Sequence, residues 1–332
     1  MTRVFVTHPA DKQEQYFGTK ATNALRAIAE PHFNPEPRDL STEELIAAAS
    51  GCAALIAYRQ TPGPEALFRN LPDLVAFIRC AVDIRTVDVE AASAQGVLVT
   101  QASPGYAPAV SEWIIAVMVD LARGISRYAE AYHGHAPLAP FMGRELRGST
   151  LGVIGFGHIG RTLTELSLAF GMHVLVTTPR PVPPRQGVRQ VPLAELLAGA
   201  DFVVCLAPAN AETHNLMNAP AFAAMKPGAF FINAARGELV DDSALLQALD
   251  SGHLAGCALD VGRAPDQMPT LALAQHPRVL AAPHIGGLTL PAIEHQAMET
   301  VQQVADLVQG RVPAGAVNLQ HASRLQAFFD RA

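Results

Sequence analysis

Three closely spaced glycines are the residues of this sequence whose types and spacing point most clearly to a chemical role. Gly155, Gly157 and Gly160 lie in Leu151-Gly-Val-Ile-Gly-Phe-Gly-His-Ile-Gly160, between an apolar run and a segment with helical spacing. At a strand-to-helix turn the first glycine permits a tight turn, the second lets backbone N–H groups approach a diphosphate, and the third lets the helix lie close to its strand. The positive end of the helix favours the same anion. The pattern therefore predicts a dinucleotide-binding turn.

The residues after the next predicted strand, His173–Thr177, bear on which dinucleotide is bound. In the NAD-type fingerprint an acidic residue here binds the ribose 2′-hydroxyl. This chain has Thr178 instead, followed by Pro179 and Arg180. Without the carboxylate a 2′-phosphate is not repelled, and an arginine can bind that phosphate through two hydrogen bonds. We expect NADP(H) to be favoured and NAD(H) to be possible. The alternative is an arginine that is merely exposed in a proline-rich loop.

The composition narrows the class of protein and its partners. A chain of 332 residues, 49% hydrophobic and 16% charged, is long enough for two globular domains. Its net charge of −6, with no basic run, argues against nucleic acid. The most apolar helical stretch, Trp113–Val119, is far shorter than the roughly 20 residues that a membrane crossing needs. The N-terminus resembles a strand and not a signal peptide, so we expect a cytoplasmic protein with no membrane partner.

Cysteines and histidines offer no pattern typical of a metal site. The cysteines lie far apart and mostly in apolar runs, which favours reduced core thiols: Cys52, Cys80, Cys205 and Cys257. His133 and His135 fall in Tyr132–Phe141, which we expect to be an irregular surface loop without an acidic or cysteine partner. We expect no metal.

Predicted strands alternate with predicted helices in two groups, which indicates parallel sheets covered on both faces. The first group has strands at Arg3–Thr7, Ala53–Tyr58, Leu74–Cys80 and Val97–Thr100, and helices at Gln15–Ile28 and Glu43–Ala49. After the glycine turn, strands are expected at His173–Thr177, Asp201–Leu206, Ala229–Asn233, Gly256–Val261 and Arg278–Ala281, with helices at Leu193–Leu197 and Ser243–Leu249. Long helices are expected at Ala109–Arg127 and Pro291–Gly310.

Four motifs in order resemble those of the D-isomer-specific 2-hydroxyacid dehydrogenase family. They are Leu146–Gly160, Met225–Asp241, Ser251–Val261 and Pro283–Thr289. The resemblance implies an α/β fold with two doubly wound parallel-sheet domains. A Rossmann NAD(P)-binding domain, residues 101–288, would be inserted into a discontinuous, flavodoxin-like substrate domain formed by residues 1–100 and 289–332. It also implies a homodimer, with the helix around Trp113 at the interface.

The resemblance assigns the chemistry to an arginine and a histidine. The planar guanidinium of Arg236 would bind the carboxylate and carbonyl oxygens of a 2-oxo acid. Otherwise it would cap or pair with Asp241 or Asp242. His284 would be the general acid/base that protonates the C2 oxygen as hydride reaches C2, because a donor with a near-neutral pKa is needed there. A lone histidine outside such a motif would be structural.

The family pairs this histidine with a glutamate 29 residues after the arginine, a position that is Pro265 here. Asp266 is the nearest carboxylate, and it either serves as the catalytic partner or the dyad is absent. Without a carboxylate the pKa of His284 would drift toward about 6.5, because the imidazolium loses its stabilising charge. Activity would then be weak or acid-shifted.

The substrate loop also departs from the family pattern Gly-x-Gly-Val-Asp-Asn-Ile-Asp. In Ala81–Asp88, Asp83 replaces a glycine and Arg85 replaces an acid. Arg85 could favour a second anionic group on the substrate, or it could pair with Asp83. We take Tyr58, Ile84, Arg85 and Arg236 as the candidate substrate-binding residues.

Further cofactor contacts are carried over from the family. They would be His158 and Ile159 at the pyrophosphate, Thr178 at the ribose, Ala234 and Asp260 near the nicotinamide, and Pro208 and Thr213 in a strand-end loop. Asp260 could otherwise be an N-cap or an acid at the sheet edge.

The sequence predicts an oxidoreductase that transfers hydride between NAD(P)(H) and C2 of a small anionic 2-oxo or 2-hydroxy acid. The alternative is a dinucleotide-binding sensor or corepressor-like protein with little turnover. The missing glutamate and the altered substrate loop keep that alternative open.

Overall fold

The computed structural model describes residues 1–136 and 138–330, apart from the side chain of Asp266. The chain divides into two compact units, the first formed by Met1–Gly105 and Leu290–Ala332, the second by Tyr106–Thr289. Each unit is built on its own parallel sheet.

The first unit begins with five short strands that alternate with helices. The strands are β1 (Arg3–Val6), β2 (Glu30–Phe33), β3 (Ala54–Ala57), β4 (Ala76–Arg79) and β5 (Leu98–Gln101), and the helices are α1 (Gln13–Tyr16), α2 (Gly18–Ile28), α3 (Thr42–Ala48), α4 (Glu65–Asn70) and α5 (Val89–Ala94). All neighbours are parallel, in the order β2-β1-β3-β4-β5. This is the flavodoxin-like order of a doubly wound sheet.

The second unit opens with two helices, α6 (Ala107–Arg123) and α7 (Ile125–His133), and continues as a seven-stranded sheet. Its elements are β6 (Thr150–Ile154), α8 (His158–Ala169), β7 (His173–Thr177), β8 (Val188–Gln190), α9 (Leu193–Gly199), β9 (Phe202–Cys205), α10 (Ala219–Ala224), β10 (Ala229–Asn233), α11 (Asp242–Asp250), β11 (Leu254–Leu259), α12 (Leu271–Ala274) and β12 (Val279–Ala281). The order β12-β11-β10-β9-β6-β7-β8 contains the Rossmann arrangement, and the order in which successive strands are added reverses between β6 and β9, which are parallel. The predicted fold class is confirmed.

The chain then returns to the first unit through α13 (Leu290–Val308) and α14 (Ser323–Phe329). Leu25 of α2 and Val304 of α13 belong to one buried core on the β1–β5 sheet. Leu45 and Phe68 belong to a second core that includes other residues of the same strands. The covered strands β3 and β4 are fully buried, whereas the edge strand β2 has no buried residue.

Some expected boundaries were wrong. The helix expected over Ala109–Arg127 ends at Arg123, because Gly124 adopts a φ of 65° and donates its N–H to the Asp120 carbonyl. The loop expected from Tyr132 starts later, since α7 continues to His133. Gln15–Ile28 is two helices, α1 and α2. Strand β2 was not expected; it contains Pro31, whose missing N–H is tolerated because β2 is an edge strand.

Within the described part of the chain, no helix is both long and apolar enough to cross a bilayer. The same residues contain no cluster of three or more side chains suited to holding a metal ion. All four cysteines are buried and unbonded. Burial raises the pKa of the Cys80 and Cys205 thiols to about 12, which keeps both protonated.

Candidate active site

The glycine turn connects β6 to α8 at the point where the strand order of the parallel sheet switches. Gly155 has a φ of 99°, and a Cβ there would lie 2.7 Å from the Leu206 carbonyl carbon. A Cβ at Gly160 would lie 2.5 Å from the Gly155 carbonyl oxygen, so helix and turn are packed backbone to backbone. Both positions therefore require glycine.

The same turn has room for a diphosphate. Gly157 is the N-cap of α8, and a Cβ built there meets nothing within 4 Å. His158 and Ile159 open the helix, and its first turn contains no acidic residue. Open space beside exposed N–H groups at the positive end of a 12-residue helix is the arrangement that binds dinucleotide phosphates. The residues present therefore fit the diphosphate of a dinucleotide.

The loop after β7 carries the two residues that the sequence assigned to the ribose. Thr178 directly follows the strand and is half-buried, whereas Arg180 is exposed. Arg185, farther along the same loop, pairs with Glu165 of α8 at 3.4 Å. Arg180 is therefore the better placed of the two arginines to serve a ligand.

The loop after β9 is closed by Thr213. Its hydroxyl donates to the Pro208 carbonyl at 2.6 Å and accepts the Asn210 N–H at 2.9 Å. Pro208 itself is exposed. The Thr213 hydroxyl thus closes the turn formed by residues 208–213.

Arg236 lies in the loop that follows β10. Asn233, the last residue of that strand, is fully buried and donates its side-chain amide to the Arg236 carbonyl at 2.9 Å. The Asn233 side-chain oxygen accepts the Ala235 N–H at 3.1 Å. The Arg236 guanidinium donates to the Ala235 carbonyl at 2.7 Å and is half-buried. Asn233 was not among the predicted site residues, although a polar residue that ends an apolar strand three positions before the arginine was a usable signal.

Three neighbouring strand-end loops pack together at one edge of the second sheet. A Cβ at Gly237 would lie 2.2 Å from the carbonyl carbon of Gly262, so the loop after β10 touches the loop after β11. A Cβ at Gly286 would lie 2.7 Å from an oxygen of Asp260, so the loop after β11 touches the loop after β12. Because β10, β11 and β12 are adjacent and parallel, Arg236 and His284 belong to the same edge.

Asp260 shapes the turn that contains the candidate acid/base. Its buried carboxylate accepts the N–H groups of Ile285 and Gly286, both at 2.8 Å. His284, directly before them, is half-buried and has a φ of 57°, a left-handed conformation that is uncommon outside glycine. Burial raises the pKa of Asp260, while the two N–H groups and the charge of His284 act in the opposite direction. The result is a buried acid electrostatically linked to His284.

In the segment where the family has its catalytic glutamate, this chain has Pro265. Pro265 begins a short 3₁₀ helix, Pro265–Gln267, that follows β11. Gly262 donates its N–H to the Gln267 carbonyl at 2.7 Å, which closes this segment tightly. The side chain of Asp266 lies outside the part of the structure that is described, so its proposed catalytic role stays a prediction.

The remaining candidates belong to the first unit. Tyr58, after β3, is 1% exposed, and its ring packs against His8 with centroids 5.0 Å apart. Ile84 is half-buried. Arg85 forms a salt bridge with Asp83, at 2.9 Å between Nη2 and Oδ2. Of the two alternatives for Arg85, the structure thus contains the ion pair. Their contacts with a substrate stay predictions.

The fold and the glycine turn define the class of nucleotide-binding α/β proteins, and comparisons with known proteins identify the family. The sequence model described as "D-isomer specific 2-hydroxyacid dehydrogenase, NAD binding domain" matches residues 115–286. The TT0316 protein of Thermus thermophilus is 31% identical in sequence and has a TM-score of 0.85, with 95% of this chain and all of that chain covered. The chain belongs to the D-isomer-specific 2-hydroxyacid dehydrogenase family.

Two further similarities support less: the first covers only part of the relative, and the second concerns the fold alone. D-3-phosphoglycerate dehydrogenase of Sus scrofa is 36% identical over 290 residues, which cover 86% of this chain and 54% of the pig protein. The chain thus spans about half the length of that curated relative. D-lactate dehydrogenase of Escherichia coli has a TM-score of 0.81 at 24% identity, with 96% and 100% of the two chains covered, and this similarity concerns the fold alone.

Proposed function

We propose that this chain is a nicotinamide-dependent oxidoreductase that interconverts a small 2-oxo acid and its 2-hydroxy acid. The observation that carries the proposal is the shared edge of the second sheet. There the loops with Arg236, Asp260 and His284 pack against one another, in the same nucleotide-binding unit as the glycine turn. Family membership supports the same class of reaction.

The residues have distinct tasks in the proposed reaction. A bound nicotinamide supplies the hydride for C2 of the oxo acid. Arg236 binds the substrate carboxylate and carbonyl oxygen through its planar guanidinium, which fixes the orientation of C2. His284 donates a proton to the C2 oxygen as negative charge develops on it, and it removes that proton in the reverse direction. Asp260 keeps negative charge close to the imidazolium and fixes its turn.

We propose NADP(H) as the preferred cofactor, with NAD(H) also accepted. The loop after β7 has no carboxylate at position 178, and Arg180 lies two residues farther on with an exposed side chain. Both features favour a 2′-phosphate over a 2′-hydroxyl. Fluorescence titration with NADPH and NADH gives the two Kd values, and a smaller Kd for NADH would contradict this preference.

We also propose a homodimer. Several apolar side chains of the second unit are exposed in the single chain, among them Tyr132 (69%), Phe141 (46%), Met142 (96%) and Phe170 (43%). A second copy is the simplest partner that would cover such a set. Sedimentation equilibrium should return twice the mass of the chain, and a monomer at micromolar concentration would contradict the proposal.

The second candidate is a dinucleotide-binding sensor with little turnover. Pro265, at the position of the family glutamate, is the observation that favours it. Turnover with a panel of small 2-oxo acids and either reduced nucleotide separates the two functions. The oxidoreductase should consume nucleotide with at least one acid, whereas tight nucleotide binding without turnover would favour the sensor.

A further inference from the structure

We propose that Gln190 is a positioning residue for cofactor selection. Its side chain would hold residues 178–182, which we call the ribose arm, in the conformation that presents Arg180 to a 2′-phosphate. This inference rests on the proposed preference for NADP(H). It concerns a residue outside the glycine turn and outside position 178 directly after β7, where the residue that binds the ribose 2′-hydroxyl usually lies.

One side chain binds three backbone groups of the ribose arm. Gln190 ends β8 and lies opposite Val176 of β7 in the sheet register. Its amide nitrogen donates to the Thr178 carbonyl at 2.9 Å and to the Arg180 carbonyl at 3.0 Å. Its amide oxygen accepts the Val182 N–H at 2.9 Å. The side chain therefore bridges alternate residues on both sides of Pro179 and Pro181.

The sequence of the arm explains why it depends on an outside partner. Pro179 and Pro181 within the arm, and Pro183 directly after it, have no N–H and a fixed φ, and each residue that precedes a proline is restricted to extended conformations. An extended arm forms few hydrogen bonds within itself, and Gln190 donates to two of its carbonyls. At the far end Val182 packs against the hydrophobic core that includes Val176. The arm is thus stiff in itself and attached at both ends.

Among the arginines of the ribose arm and the segment that follows it through β8, Arg180 is the one whose guanidinium is available to bind a 2′-phosphate. Arg185 pairs with Glu165, and Arg189 pairs with Glu195 at 2.6 Å. Among the residues that the structure describes, the Arg180 guanidinium contacts neither an acceptor nor a carboxylate. A backbone already fixed on both sides of Arg180 reduces the ordering cost of binding, so selectivity for the phosphate should depend on Gln190.

Gln190→Met tests the inference, because methionine keeps the side-chain length and removes the hydrogen bonds. Kd values for NADPH and NADH are measured for the wild type, for this variant, for Arg180→Ala, and for Arg189→Met as the control on the same strand. Thermal unfolding checks that each variant is folded. In Gln190→Met we expect the Kd for NADPH to rise about three- to tenfold, a size typical of the loss of exposed hydrogen bonds. The Kd for NADH should stay within about twofold of the wild-type value. The control should leave the ratio of the two Kd values unchanged.

The possible results distinguish the inference from the proposed function. Equal weakening of both nucleotides would give Gln190 a merely structural role and overturn the inference. An unchanged ratio in Gln190→Met, with the ratio lost in Arg180→Ala, would overturn the inference and leave the proposed cofactor preference intact. An unchanged ratio in Arg180→Ala would overturn both statements about the 2′-phosphate, while turnover of a 2-oxo acid would still establish the reaction.

Discussion

Asp260 fixes the turn that carries His284. The carboxylate accepts the two N–H groups that immediately follow the histidine, each at 2.8 Å, and His284 adopts a left-handed backbone conformation beside it. A non-glycine residue keeps such an unfavourable conformation when the contacts around it hold the backbone in place. Residues of this kind are common at functional sites. The acid therefore acts on the histidine through both geometry and charge.

Asp260→Asn should shift the pH dependence of reduction. Reduction needs the imidazolium of His284, and removal of the nearby negative charge lowers the pKa of that histidine. The basic limb of the kcat/KM profile should move to lower pH, and kcat at pH 7.5 should fall about tenfold or more. Steady-state kinetics between pH 5 and 9 check this. A basic limb at the wild-type position would contradict the electrostatic link.

Pro265→Glu should restore the carboxylate that the family pairs with its histidine. A carboxylate within reach of the imidazolium raises the pKa of His284, so the basic limb should move to higher pH. A shift of one pH unit corresponds to about 1.4 kcal/mol of added stabilisation. Pro265→Gln is the matched control, since it adds a side chain of the same size without charge. Identical profiles for the two variants would show that position 265 does not reach His284.

Arg236→Lys should lower kcat/KM for the 2-oxo acid by about 10²- to 10³-fold, because lysine keeps the charge and loses the planar fork. The Kd for the nucleotide should stay within about twofold, since the guanidinium is assigned to the substrate alone. Arg278→Lys, on an exposed arginine of the same unit, serves as control. An equal loss in the control, or none in Arg236→Lys, would exclude the proposed role.

Asn233→Ala should both lower the unfolding free energy of the second unit and displace the backbone that carries Arg236. The substitution leaves the Ala235 N–H and the Arg236 carbonyl without their buried partner, which costs about 1–3 kcal/mol of unfolding free energy. Urea unfolding measures that loss, and kcat/KM should fall in the folded variant. Asn70→Ala, on the exposed side of α4, should change neither quantity. Full activity in Asn233→Ala would show that the turn does not need this anchor.

His8 should make the first unit sensitive to acid. The ring is 1% exposed, its Nδ1 has no partner among the described residues, and burial lowers the pKa of His8 to about 3. Because the unfolded chain binds this proton near pH 6.5 and the folded chain does not, stability is lost as pH falls below 6.5. The loss is about 2 kcal/mol at pH 5.

Urea unfolding at pH 7.5 and pH 5 measures that dependence. His8→Phe keeps an aromatic ring against Phe17 and Tyr58 and should reduce the loss between the two pH values by about 2 kcal/mol. His173→Phe, at an exposed histidine, should not. The same loss in His8→Phe and the wild type would mean that other groups cause the acid sensitivity.

Much of the fold follows from local sequence signals. Gly155 and Gly160 are required by close backbone contacts within the strand-to-helix turn, and Gly157 leaves the space beside the helix start open, so residue type and spacing sufficed to predict this turn. The buried strands were visible as apolar runs, for instance Ala229–Asn233, which the structure reproduces residue for residue. The end of α6 at Gly124 was less visible, because apolar residues continue at helical spacing beyond it.

The parts that could not be predicted depend on contacts between distant residues. Gln190 is an ordinary polar residue of an edge strand until the structure brings it to three backbone groups of the ribose arm. The contact between Gly237 and Gly262 joins two loops that no local pattern relates. For Arg85 the sequence left two alternatives, and only the folded structure shows the salt bridge with Asp83.

The central claim is that His284 protonates a C2 oxygen while hydride reaches C2 of a 2-oxo acid. The direct measurement is a single turnover with reduced nicotinamide nucleotide that carries deuterium at both C4 positions, followed by mass analysis of the 2-hydroxy acid, for the wild type and His284→Asn at saturating nucleotide. We predict deuterium at C2 in the wild type and a rate at least about 10²-fold lower in the variant, with an unchanged Kd for the nucleotide. Equal rates in the two proteins, or no deuterium at C2 with any 2-oxo acid, would contradict the account.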